Sequence, residues 1–253
     1  MPPVLVHGNP ETSAIWGPMI DQLDRDDVIC LSPPGFGAPT PDGWGATRQD
    51  YLDWLIAELE AIDGPIDLFG HDWGGGHVMG VAMTRPGLVR SWGSDVAGIF
   101  HADYEWHEAA QAWQTPEVGE QVIEMMVGAA LDDRVASFVG LGMPEDIAHD
   151  LAAATDAEMG RCILALYRSA TKPVLQEQAA HLDGARAKPG LVVRAQNDDY
   201  VGTDEMSEWT AEQTGAQLTV LTGVGHWWMI QDPAAGAAAL TTFWSSLQIP
   251  RLT

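Results

Sequence analysis

The segment Gly70-His71-Asp72-Trp73-Gly74-Gly75 follows a short apolar run and precedes a helical stretch. Its spacing is that of a nucleophile turn, G-x-S-x-G, with aspartate in the serine position. The glycines are required because the nucleophile stands on a strained, tight strand-to-helix turn that leaves no room for nearby side chains. A serine there needs a base to remove its proton before it attacks a carbonyl carbon. An aspartate is already an anion and can displace a leaving group from an sp³ carbon, forming an ester whose carbonyl belongs to the enzyme. Water activated by a histidine would then cleave that ester. A plain Gly-rich turn with a solvated aspartate is the competing reading. With no serine at the turn, serine-type esterase, lyase or C–C hydrolase chemistry is disfavoured.

The base is expected after the last strand. Gly223-Val224-Gly225-His226-Trp227 lies there, and of the eight histidines only His226 has this context. His71 adjoins the nucleophile, but its side chain is expected to point elsewhere. An acid must orient the imidazole and stabilise its cation. Asp198, in Arg194-Ala195-Gln196-Asn197-Asp198-Asp199-Tyr200, follows a strand and lies 28 residues before His226. Its neighbour Asp199 stays open as an alternative, and Asp95, near the end of an earlier strand, is a rival acid. The backbone N–H of Trp73, with that of Asn9 in His7-Gly8-Asn9-Pro10, would form the oxyanion hole. Pro10 has no N–H to offer.

These residues need a scaffold, and the pattern of strand and helix signals supplies one. Val4–Val6, Val28–Leu31, Pro65–Phe69 and Val89–Ala97 read as strands, with helices expected over 12–24, 48–62 and 73–85. Thr47 can cap the second helix, where Leu52, Leu55, Ile56, Leu59 and Ile62 share one face. Alternation breaks over 100–185, which is rich in Ala, Glu, Met and Trp and lacks strand signals. It resumes with strands at 190–194 and 218–221 and helices near 204–213 and 233–247. The expectation is an α/β fold: a mostly parallel sheet with helices on both faces, formed by residues 1–99 and 186–253, with a helical cap inserted over 100–185.

A net charge of −24 and a pI near 4.3 exclude nucleic acid and an anionic membrane surface as partners, because the field would repel both. No apolar run approaches the roughly 20 residues that span a bilayer. The N-terminus has no basic region, so a signal peptide is not expected and the predicted location is cytoplasmic. Cys30 and Cys162 have no metal-ligand spacing and are read as free thiols. No cofactor or metal motif occurs. The Trp-rich stretches 100–125 and 224–230 predict an apolar pocket for a small neutral organic substrate. The oligomeric state is not legible.

Taken together, the residues of the Asp72 turn, the His7–Pro10 loop, Asp198 and His226 resemble the Asp-nucleophile branch of the α/β-hydrolase superfamily, which includes haloalkane dehalogenases and soluble-type epoxide hydrolases. The resemblance covers nearly the whole chain. It is carried further by Glu11-Thr12-Ser13-Ala14-Ile15-Trp16 and by Ala110-Gln111-Ala112-Trp113-Gln114-Thr115-Pro116-Glu117-Val118-Gly119-Glu120, which is similar to a dehalogenase cap. It implies that the side chains of Asn9 and Trp73 donate N–H groups to a leaving halide. In one dehalogenase subfamily the acid follows the strand matched by Val89–Ala97, which keeps Asp95 in play. Epoxide hydrolases typically use two cap tyrosines as acids. Tyr167 matches one, and only Tyr104 lies near enough to replace the other. The resemblance therefore implies carbon–halogen cleavage first, epoxide hydrolysis second, and a catalytically silent binding fold third. Fluoroacetate-type relatives place arginines where this chain has Trp73 and His77, so a haloacid substrate is not expected. The His-Gly motif begins at residue 7, leaving no room for the two N-terminal strands that usually precede it in the family, so either the sheet lacks its antiparallel edge or the chain is truncated.

Overall fold

A computed structural model describes residues 1–247. Six strands form one sheet: β1 (Pro3–Val6), β2 (Ile29–Leu31), β3 (Ile66–Gly70), β4 (Val89–Ser94), β5 (Gly190–Ala195) and β6 (Gln217–Leu221). Their order is β2-β1-β3-β4-β5-β6, and every pairing is parallel. Parallel neighbours require crossovers, and helices supply them on both faces. Among the described residues the sheet has these six strands, with β2 at one edge and β6 at the other.

The short-period pattern of the strands decides which face each side chain meets. Val4 and Val6 of β1 enter the hydrophobic cluster on one face, and Leu5 enters the cluster on the other. Leu68 and Phe69 of β3 divide in the same way. The helices are α1 (Gly17–Ile20), α2 (Arg48–Glu60), α3 (Trp73–Thr84), α4 (Glu108–Gln114), α5 (Val118–Gly128), α6 (Leu131–Gly140), α7 (Glu145–Ala154), α8 (Ala157–Arg168), α9 (Lys172–Ala179), α10 (Asp204–Thr214), α11 (Trp228–Gln231) and α12 (Pro233–Ser246). Thr47 caps α2 as expected: it accepts from the Asp50 N–H, and Asp50 reciprocates to the Thr47 N–H. Helices α4 to α9 lie between β4 and β5 with no strand among them. They pack over the C-terminal ends of the strands, where Trp106, Trp113 and Tyr167 join the cluster that contains Trp73.

Two local expectations change. The helix expected over 12–24 divides into a 3₁₀ turn, Ser13–Trp16, and the single-turn α1, because Gly17-Pro18 interrupts it. The strand expected to reach Ala97 ends at Ser94. There the Ser94 hydroxyl takes the Val96 N–H at 3.1 Å, and Asp95 turns inward to polar partners instead of continuing the ladder.

Candidate active site

Asp72 sits between β3 and α3 at φ +50°, a left-handed conformation that few non-glycine residues adopt. The tightness of the turn shows at Gly70, where a Cβ would stand 2.3 Å from the Gly74 carbonyl oxygen. The carboxylate is crowded from the β1 loop as well, since a Cβ on Gly8 would lie 2.1 Å from Asp72 Oδ1. That close approach lets the Asn9 N–H donate to Oδ1 at 3.0 Å. Trp73 is the first residue of α3, so its N–H is one of the helix's unpaired N-terminal donors beside the same carboxylate. Both amides expected to form an oxyanion hole therefore border Asp72.

His226 follows β6, as predicted, and Asp198 holds its ring. Nδ1 lies 2.8 Å from Asp198 Oδ2, and Nε2 faces Asp72 Oδ2 at 3.8 Å. The Tyr200 N–H donates to the other Asp198 oxygen at 2.9 Å. Asp199 is exposed and takes no part. Burial works against the charged forms of both partners, but their mutual attraction outweighs it. The Asp198 carboxyl is held below its ordinary range and the His226 imidazole above its own. Asp72 behaves differently. Burial dominates there, opposed by His226 and His71 and assisted by Glu11, and its carboxyl is pushed up to about 6.

The rival acid Asp95 does not reach His226. Its Oδ2 contacts His71 Nδ1 at 2.6 Å and accepts the Trp228 indole N–H at 2.8 Å, while its Oδ1 accepts the Asp72 backbone N–H at 3.1 Å. His71 meets no oxygen of the Asp72 carboxylate: its Nδ1 is taken by Asp95, its Nε2 meets Glu11 Oε1 at 3.2 Å, and its ring lies 4.6 Å from that of His226. Sequence reading gave Glu11 no role. Its only signal was an acidic residue directly after the His7–Pro10 loop.

A cavity of about 190 Å³ opens on Asp72 and is lined by Asn9, His107, Trp113, Tyr167, Tyr200 and His226 among others. The Asn9 side chain is buried with both its amide nitrogen and oxygen unpartnered. The Trp113 indole N–H is also buried without a partner, a feature the sequence did not single out. Trp73 packs edge-on to Tyr167, with ring centroids 5.3 Å apart. Burial, with the charge of Asp72 adding to it, raises the Tyr167 phenol well above its ordinary value. Tyr104 is turned elsewhere: its hydroxyl donates to the Tyr200 carbonyl at 2.9 Å.

Residues 4–239 match the family described as "Alpha/beta hydrolase family". The chain belongs to that family. Among curated relatives, this chain is 37% identical over 91 residues to an (E)-2-((N-methylformamido)methylene)succinate hydrolase of Acinetobacter baylyi, a match covering 35% of each chain. It is 32% identical over 107 residues to a cis-3-alkyl-4-alkyloxetan-2-one decarboxylase of Shewanella oneidensis, covering 40% of this chain and 33% of that one. The matched segments thus span about a third of these relatives' lengths. Among solved structures, haloalkane dehalogenase DbeA from Bradyrhizobium elkani superposes with a TM-score of 0.69 at 20% identity, covering 96% of this chain and 91% of that one. An E-2-(acetamidomethylene)succinate hydrolase gives 0.71 at 20% identity, covering 97% and 92%. At such identities the likeness establishes the fold. Among the described residues no helix is long and apolar enough to cross a membrane. Glu11, His71 and His226 bring three possible metal-ligand atoms within 4.8 Å of one another. Both His71 nitrogens and His226 Nδ1 already face carboxylate oxygens, so a cation there would have to displace those contacts.

Proposed function

We propose that the protein hydrolyses a carbon–halogen bond of a small neutral haloalkane through a covalent ester on Asp72. The observation that carries this reading is the arrangement of the Asp72 carboxylate. Oδ1 is held by the Asn9 N–H, and Oδ2 is left toward His226 at a cavity with unpartnered N–H donors. Oδ2 attacks the substrate carbon, the C–O bond forms, and the halide departs with the electron pair of the C–X bond. Asn9 Nδ2, with Trp73 or Trp113, offers neutral donors to the leaving anion in a site largely shielded from water. At 3.8 Å the contact between His226 Nε2 and Asp72 is too long to be a hydrogen bond, so Nε2 is free to take a proton from water. The resulting hydroxide attacks the ester carbonyl carbon. Negative charge collects on Oδ1 beside the Asn9 and Trp73 amides; on collapse the proton of the added hydroxyl passes to the departing alkoxide, which releases the alcohol and restores the carboxylate, and His226 then loses its proton to solvent. Asp198 stabilises the imidazolium meanwhile.

In this reading residues 100–185 act as a cap that dries the pocket, and residues 1–99 and 186–253 form the catalytic core. The cavity is below the roughly 300 Å³ at which drug-sized pockets begin, which favours a short substrate. The second reading, epoxide hydrolysis, rests on Tyr167 at the cavity wall. It has less support because Tyr104, the other candidate acid, already gives its proton to the Tyr200 carbonyl.

The test is His226→Ala incubated with a panel of haloalkanes, epoxides and oxetan-2-ones, followed by intact mass and peptide mapping. An adduct on Asp72 with the mass of an alkyl group less one hydrogen is expected. An adduct with the mass of a whole epoxide would transfer the protein to the second reading. A folded variant that forms no adduct with any member would overturn the mechanism and leave a silent binding fold.

A further inference from the structure

Beneath the Asp72–His226–Asp198 set lies a second group of charged side chains that the proposed chemistry does not use. Glu11, His71 and Asp95 are all almost completely buried, at 1%, 0% and 4% exposure. His71 contacts a carboxylate at each ring nitrogen, Asp95 Oδ2 at 2.6 Å and Glu11 Oε1 at 3.2 Å. A neutral imidazole has one N–H donor, so one of these contacts would then set a nitrogen lone pair against a carboxylate oxygen. Both contacts are favourable only when both nitrogens carry protons.

The outer atoms of the group hold backbone and side chains from three loops. Asp95 accepts the Asp72 N–H and the Trp228 indole N–H. Glu11 accepts the Gly8 N–H at 3.2 Å and the Trp227 indole N–H. The nucleophile turn, the loop that supplies the Asn9 amide, and the segment that follows His226 are thus tied to one buried charge cluster.

We propose that Glu11, His71 and Asp95 are a positioning network for the nucleophile: His71, clamped between two carboxylates, supplies the positive charge under the site, and Asp95 fixes the Asp72 turn. This rests on Asp72 being the nucleophile. The charged and titratable groups around His71 are Glu11, Asp95, His7, Asp72, His226 and Asp198. Burial opposes a charge on His71, but the two contacting carboxylates outweigh it, and His71 titrates well above an ordinary histidine. Burial likewise opposes ionisation of Glu11, but His71 foremost holds that carboxyl at about 2. His71 also acts against the burial that raises Asp72, whereas Glu11 acts with it. Removal of the cation and removal of the anion should therefore move the ionisation of Asp72 in opposite directions.

The experiment measures the rate of Asp72 adduct formation against pH in the His226→Ala background, comparing it with the same background carrying His71→Gln or Glu11→Gln. His71→Gln is expected to move the acid limb up by about one pH unit, a loss of roughly tenfold in rate on that limb. Glu11→Gln is expected to move it down. A purely structural contribution would lower the rate at every pH and leave both limbs in place, which would overturn the proposal. Absence of an adduct in the His226→Ala parent would instead reject the nucleophile, a separate outcome. Should either variant misfold, ¹⁵N NMR of the histidine rings in the unsubstituted chain decides the matter. Both His71 nitrogens should be protonated at about pH 8, where an unperturbed histidine is neutral. A neutral His71 at that pH would exclude the network.

Discussion

Asp198 Oδ2 lies 2.8 Å from His226 Nδ1, so the acid beyond β5 and the histidine beyond β6 form one buried, charge-assisted pair. Because Nδ1 is taken up by Asp198, Nε2 is the nitrogen directed at Asp72. A hydrogen bond that fixes the tautomer in this way is what a base acting on water requires.

Asp198→Asn should slow ester hydrolysis roughly 10³–10⁴-fold while leaving alkylation of Asp72 much less affected. Quenched-flow measurement would then find the alkyl-enzyme accumulating during turnover. Asp95→Asn should instead slow alkylation, because it loosens the Asp72 turn without touching His226. Ester accumulation in Asp95→Asn but not in Asp198→Asn would mean that His226 uses the other acid in solution.

The rate of alkylation should depend on an ionised Asp72. With its carboxyl raised to about 6, chiefly by burial, kcat/KM should fall about tenfold per pH unit below that value and level off above it. A profile flat down to about pH 4, where an unperturbed carboxylate titrates, would contradict this.

The same shift bears on stability. Asp72 binds its proton more tightly folded than unfolded, so above about pH 6 its buried charge opposes folding, and that penalty fades as pH falls toward the unfolded value of 3.8. Asp72→Asn should therefore have a higher Tm than the parent at neutral pH, with the gain shrinking toward pH 4. Asp198 has the opposite sign. Its folded pKa is depressed, so its contribution is present above 3.8 and is lost as pH falls through the lower folded value. Asp198→Asn should be destabilised at neutral pH, by about 1–3 kcal/mol for an unpaired buried partner. Calorimetric scans across this range would check both signs, and equal shifts in the two variants would count against the assignment.

Leaving-group stabilisation should reside in N–H donors. Asn9→Ala should reduce kcat/KM for a bromoalkane by about 10²–10³-fold, the effect of removing one preorganised donor. Bromide should quench part of the tryptophan fluorescence. Trp73→Phe and Trp113→Phe, scored separately, should show which indole lies at the anion, and undiminished bromide quenching in both would rule out an indole donor.

Tyr167→Phe separates the two substrate classes. Haloalkane turnover should change by less than about tenfold, since no proton is delivered to a halide, whereas epoxide opening would lose its acid and about 10²–10⁴-fold in rate. A large loss on haloalkanes would require another role for this phenol.

The sequence by itself determined the alternation of strands and helices, the tight turn at Asp72, the Asn9 loop and the place of His226 after the last strand. Those features follow from local rules: the period of apolar residues, glycine where the backbone is strained, a capping residue before a helix. The tertiary structure decided which carboxylate meets which imidazole. Asp95 and Asp198 both follow strands that end at the same side of the sheet, so the sequence placed Asp198 first but left Asp95 standing as a rival. The choice depends on the turn after Ser94, which carries Asp95 to His71 and leaves Asp198 to His226. Glu11 was illegible for the same reason, since its partners lie 60 and 216 residues away at His71 and Trp227. So was the inward direction of the Tyr104 hydroxyl, satisfied by a carbonyl 96 residues distant. A buried polar atom is stabilised by a partner, and only the packed chain says which one is within reach.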